Sequence, residues 1–211
     1  MAEGATDASW AGARILAGVA VVATLLWMLP GAMDRLDFDR AEILNGAWWR
    51  ALTGQFTHWD GAHLFWNLTG VALLALWFRS VDGIFWVASG LGAALAIALG
   101  LLAEPSPLEH YRGLSGVVYG WFVAAVAWHA GGSRALRGSI AGIVLLWVLL
   151  GVWTEALPFL ELGRTLATGT PVHATAHLYG IVGAWIGIGL ARAAARFPVR
   201  GFASGGPGPA G

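Results

Sequence analysis

The chain has no cysteine, no lysine and little charge of either sign. Without thiols it forms no disulfide, holds no thiolate-ligated metal and performs no thiol catalysis. All twelve basic residues are arginine; alongside heavy alanine and glycine usage, this reads as genomic compositional bias rather than function. Charged residues make up 11% of the 211, against about 25% in an ordinary soluble domain. Twelve acidic residues balance the arginines to a formal net charge of zero, so nothing points to nucleic acid as a partner. No internal repeat of about 20 to 50 residues is present.

What remains is apolar, with 57% hydrophobic residues and a mean hydropathy of +0.67. This is the composition of a membrane protein. Six stretches approach the length needed to cross about 30 Å of hydrocarbon. They run over Ile15–Leu29, Leu64–Phe78, Ile84–Leu102, Leu114–Trp128, Ile140–Leu157 and Val172–Ala191. The expected fold is therefore an all-α membrane protein, a bundle of six transmembrane helices in one domain spanning 15–194. A cytoplasmic segment, 1–14, precedes it, and residues 30–62 form a first loop partly embedded in the bilayer. The tail, 195–211, is rich in glycine and proline and is expected to be disordered. Arg14 and small residues give the first stretch some likeness to a secretion signal, but five further spans favour an uncleaved helix.

With the amino terminus cytoplasmic, seven of the twelve arginines lie inside, in agreement with the positive-inside tendency. Helices two, four and six then start at the outer face. His63 and Asn67 stand at the start of the second, Ser115 at the start of the fourth, and His177 about a turn into the sixth. Three sequence-distant polar clusters thus share one depth. Small-residue stripes run below two of them: Gly116, Gly120, Ala124 and Ala127 on the fourth helix, and His177, Gly180, Ala184 and Gly187 on the sixth. Such stripes let membrane helices approach closely, which would carry the imidazole to the hydroxyl.

A serine hydroxyl becomes a nucleophile when a base takes its proton, and histidine suits that task. Ser115 is the candidate nucleophile and His177 the candidate base. The tetrahedral oxyanion needs donors, and the free N–H groups at the start of the fourth helix, Ser115's included, offer them. His63 and Asn67, four apart on one helical face, can add side-chain donors. No aspartate lies near His177 in sequence, so a dyad is expected rather than a triad.

The segments Trp49-Arg50, His58-x4-His63-x3-Asn67, Gly113-Leu114-Ser115-Gly116 and Ala176-His177-x2-Gly180 resemble the signature of rhomboid intramembrane serine proteases. They stand in that family's order, over residues 34 to 190. Asp39-Arg40-Ala41-Glu42-Ile43-Leu44 to Trp48-Trp49-Arg50, Tyr111-Arg112-Gly113-Leu114-Ser115-Gly116 and Ala176-His177-Leu178-Tyr179-Gly180 are most similar to the rhombosortase branch. The resemblance implies a six-helix fold, cleavage by Ser115 and His177, and an oxyanion site of His63, Asn67 and the Ser115 backbone. It also implies supporting roles for Gly113, Gly116, Gly180, His58 and Arg50, with no metal or other cofactor. Implied clients are membrane-anchored proteins ending in Gly-Gly, a transmembrane helix and a basic tail. The implied location is a bacterial inner membrane, with the site facing the periplasm.

Other readings of the same residues exist. His173 and His177 have the spacing of a metal pair on one helix, and His58 and His63 could complete a site. A zinc protease would place glutamate between paired histidines, where this chain has Ala174-Thr175-Ala176. A b-type haem protein with axial histidines from two helices is the better non-hydrolytic alternative. An inactive rhomboid relative that binds clients is a third. His110 and His129 read as solvated boundary residues, and Trp48, Trp49, Trp59 and Arg50 as an interfacial anchor for the first loop.

Overall fold

The computed structural model describes residues 3–104, 108–129 and 173–196, with positions 138, 139, 142 and 146 between them. Helix α1, Glu3–Met28, starts well before the apolar run expected from Ile15. Helical hydrogen bonding does not stop at the edge of a greasy segment, and Ala5, Ala8, Ala11 and Ala13 favour its continuation. It ends before Pro30, which cannot continue a helix, and Gly31, which takes a left-handed φ of 71°.

The expected first loop folds into short pieces: α2 (Ala32–Leu36), β1 (Phe38–Asp39), α3 (Arg40–Leu44), α4 (Arg50–Thr53) and a 3-10 turn at Gly54–Phe56. There follow α5 (Gly61–Trp77), α6 (Gly83–Ala103), β2 (His110–Tyr111), α7 (Ser115–His129) and α8 (Ala174–Arg196). Aspartates open three of these helices. The carboxylates of Asp39, Asp60 and Asp82 accept from the backbone N–H groups of Glu42, His63 and Phe85 at 3.0, 2.7 and 2.8 Å. Each such cap contributes about 1 kcal/mol.

Strands β1 and β2 pair antiparallel, Phe38 opposite Tyr111 and Asp39 opposite His110. An all-α expectation omits this ladder, because two-residue strands leave no alternating pattern in the sequence. Its effect is large for its size: it ties the first loop to the segment that leads into α7.

Helices α1 (from Trp10), α6 and α8 are long and apolar enough to cross a membrane, and α5 and α7 are shorter apolar helices. Expected spans one to four and six thus have helices at their positions, whereas the fifth, Ile140–Leu157, lies outside the described residues apart from Gly142 and Leu146. Large apolar side chains such as Trp66, Leu76, Ile84, Leu99 and Leu190 point outward, each about two-thirds exposed or more. A water-soluble protein would not present such a surface; lipid accommodates it.

Inside, α8 lies against α6 and α7 with almost no side chain between backbones. A Cβ on Gly180 would run into the Gly116 carbonyl of α7, and one on Gly183 into the Gly92 carbonyl of α6. The stripe expected to face α7 alone is therefore divided. Gly180 and Ala184 meet Gly116 and Gly120, whereas Gly187 meets Ala88 and Gly92 of α6. Between α6 and α7, the rings of Trp86 and Trp121 pack edge to face at 5.9 Å, and the Trp121 indole N–H donates to the Trp86 carbonyl at 3.0 Å.

Close packing of this kind predicts a contrast within one helix. Gly183→Leu should lower the thermal unfolding midpoint in detergent, with an overpacking cost of about 1–3 kcal/mol. Gly189→Ala, where an added Cβ meets nothing within 4 Å, should leave the midpoint unchanged or raise it.

Candidate active site

The site is built around the turn that precedes α7. The Gly113 N–H donates to the Gly54 carbonyl at 3.2 Å, and the Gly113 carbonyl accepts from the Tyr111 hydroxyl at 2.9 Å. Gly113 has φ of +137°, a conformation that side chains disfavour. A Cβ there would also lie 2.8 Å from Cε1 and 2.9 Å from Nε2 of His63, and 3.8 Å from Ser115 Oγ. The His63 ring thus lies over the turn, next to the serine.

Ser115 is the first residue of α7, where backbone N–H groups lack intrahelical partners and the helix dipole is positive. Its Oγ lies 3.0 Å from His177 Nε2. The hydroxyl donates in this pair when the ring proton sits on Nδ1. The contact follows from the packing below it, because the Gly116–Gly180 approach brings the starts of α7 and α8 together. Tyr119, one turn further along α7, stacks against the imidazole, with ring centroids 4.4 Å apart and planes tilted by 32°.

His63 is positioned by the Asp60 cap on its backbone N–H and by His58, whose ring meets it edge-on at 5.1 Å. Asn67, buried one turn along α5, gives one amide hydrogen to the His63 carbonyl at 3.1 Å. That leaves its second N–H for another acceptor. Among the described residues, no group of three or more His, Cys, Asp or Glu is arranged to hold a metal ion.

Arg50 is not part of an interfacial anchor, though its neighbours Trp48 and Trp49 are exposed. The chain turns it inward, where it donates to the backbone carbonyls of Asp34 at 3.1 Å, Arg35 at 3.3 Å and Asp37 at 3.1 Å, and to the Asp37 carboxylate. Asp37, 1% exposed, also receives Arg112 Nη2 at 3.1 Å and Nε at 3.3 Å. His110 Nδ1 lies 3.2 Å from the same carboxylate, so this histidine is half solvated and half engaged. Arg112 reaches Asp34 as well, at 2.7 Å, and stacks over the Trp59 ring at 4.8 Å.

Sequence reasoning missed this cluster. Asp37 resembles any of the acidic residues in its loop, and no spacing rule connects position 37 to position 112. Asp60 and the Tyr111 hydroxyl were also overlooked, although the position of Asp60 directly before an apolar helix is a recognisable cap signal.

The described elements define a helical membrane protein that holds a serine hydroxyl and an imidazole in hydrogen-bond contact. The family model for the Rhomboid domain matches residues 45–193. The chain belongs to the rhomboid family, whose members are in general intramembrane serine proteases. No curated protein and no solved structure gives a significant match.

Burial, with the neighbouring His63, pushes the His58 imidazole down to about 4 from its ordinary 6.5. The folded state thus prefers neutral His58. Its contribution is complete above pH 6.5 and is lost as pH falls from 6.5 toward 4, a difference on the order of 3 kcal/mol. The unfolding midpoint should accordingly drop across that window, and His58→Phe should flatten the drop. An unchanged slope in His58→Phe would show that His58 titrates normally.

Proposed function

We propose that this rhomboid is an active serine protease of a bacterial inner membrane, a single six-helix domain with both termini cytoplasmic and its site facing the periplasm. The observation that carries the reading is the 3.0 Å separation of Ser115 Oγ and His177 Nε2 at the outer ends of two abutting helices.

In the proposed reaction, Ser115 Oγ attacks the scissile carbonyl carbon while its proton passes to His177 Nε2. The new C–O bond makes a tetrahedral oxyanion. The Ser115 N–H, His63 and Asn67 stabilise that charge. When the C–N bond breaks, His177 protonates the leaving amine, leaving an acyl ester on Ser115. Water, deprotonated by His177, then releases the carboxylic acid, and a different acceptor could intercept the same ester.

Clients are membrane-anchored proteins cleaved at or near the outer end of a carboxy-terminal transmembrane helix. Small residues there would help, because only unwound backbone presents its carbonyl to a nucleophile. The rhombosortase-like stretches around Asp39–Leu44, Trp48–Arg50 and Tyr111–Gly116 favour clients that end in Gly-Gly, an apolar span and a basic tail.

The test is cleavage of such a client in liposomes. Ser115→Ala and His177→Ala should each abolish cleavage without unfolding the protein. His63→Ala or Asn67→Ala should slow it less, about 100- to 1000-fold for the loss of one oxyanion donor. Full activity in either dyad variant would remove the mechanism. Equal cleavage of a client lacking Gly-Gly would remove the branch assignment.

A further inference from the structure

We propose that the buried Tyr111 hydroxyl is a positioning residue for Ser115, acting through the carbonyl of Gly113. The inference rests on the reading of Ser115 as nucleophile and adds to it a buried residue outside the dyad and the oxyanion donors.

Tyr111 is 4% exposed, and its ring is held by the pairing of β2 with β1. Its hydroxyl donates to the Gly113 carbonyl at 2.9 Å and borders the Ser115 side chain and the Gly116 backbone. On the other side of the same glycine, the N–H is bonded to the Gly54 carbonyl. Both peptide units of the one left-handed residue in this turn are therefore pinned.

A peptide unit is planar, so fixing a carbonyl also fixes the N–H at its other end. The unit that carries the Gly113 carbonyl carries the Leu114 N–H, the backbone donor immediately ahead of Ser115. Glycine alone would let this unit rotate at little steric cost. Without the hydroxyl, the carbonyl is a buried acceptor with its partner removed, and rotation becomes its route to another. Such a rotation would displace Ser115 relative to His177 on α8 and to His63 above the turn. In this scheme the hydroxyl keeps one peptide plane in place from a position beside the Ser115 side chain.

The remaining anchors of the segment do not duplicate this bond. Arg112 is held by Asp37 and Asp34, and the Arg40 N–H is bonded to the Glu109 carbonyl at 2.9 Å. Those contacts fix where the strand lies, but none of them bears on the orientation of the 113–114 peptide.

The experiment measures the second-order rate of fluorophosphonate labelling in detergent, on the full chain, for the native protein and Tyr111→Phe. Phenylalanine keeps the ring and removes only the hydroxyl, and unfolding midpoints identify the folded fraction. Labelling of folded Tyr111→Phe should be at least about tenfold slower, as a small misplacement of reacting atoms costs rate steeply. With a cleavable client, kcat should fall and KM should stay. A labelling rate equal to the native one overturns the inference, as does a raised KM with unchanged kcat. Arg112→Lys is the second variant: it loosens the strand while leaving the hydroxyl in place, and its labelling rate should fall less than that of Tyr111→Phe. Equal or greater loss there would reassign the effect to the strand and overturn the hydroxyl's role. Absence of labelling in the native chain would instead defeat the assignment of Ser115 as nucleophile.

Discussion

The close approach of two backbones at Gly116 and Gly180 is the constraint on which the site depends. The Gly116 carbonyl occupies the space a side chain on Gly180 would need, and a side chain on Gly116 would run into the Ala176 carbonyl of α8 and into Ile97 of α6. In a bilayer the hydrophobic effect does not drive helices together, so contact of this kind relies on van der Waals packing over small residues. Because Ser115 and His177 sit one residue and three residues from these glycines, the packing that stabilises the fold also sets the hydroxyl-to-imidazole distance. Further along the same helix, Gly183 and Gly187 meet α6, which leaves α8 little freedom to slide.

A second constraint comes from the first loop. Asp37 is a buried carboxylate, and a buried charge persists only when it is well paired and hydrogen-bonded. Arg50, Arg112 and His110 supply those partners. Two of the three come from the segment just before Gly113, so the cost of burying the charge is offset by contacts that also fix the approach to Ser115. The short ladder of Phe38–Asp39 with His110–Tyr111 reinforces the attachment. The loop is in this sense a frame for the serine turn, tying short elements of the first loop to the start of α7.

Much of this was legible in the sequence, for identifiable reasons. The apolar runs located five helices to within a few residues at most ends, because length and hydropathy are local properties. Ser115, His177 and His63 stood out because polar groups in greasy segments are costly and therefore conspicuous. The helical extension of α1 back to Glu3 was not legible, since polarity marks the edge of a membrane and not the end of a helix. The Asp37 cluster was hidden because its members come from two loops with no shared period. The inward turn of Arg50 cannot be read from the tryptophans beside it: Trp48 and Trp49 lie in the turn before α4 and Arg50 is its first residue, and only tertiary contacts reveal which side chain is buried. The Tyr111 hydroxyl was hidden for the same reason, as a tyrosine at the edge of a span usually serves as an interfacial residue.

The pairing of Ser115 with His177 is tested most directly by intact mass measurement after exposure to a fluorophosphonate. The account predicts a single adduct on the native chain, no adduct on Ser115→Ala, and an adduct on His177→Ala that forms at least about a hundredfold more slowly for want of a base. A modified Ser115→Ala chain, or a His177→Ala chain labelled as fast as the native one, would contradict it.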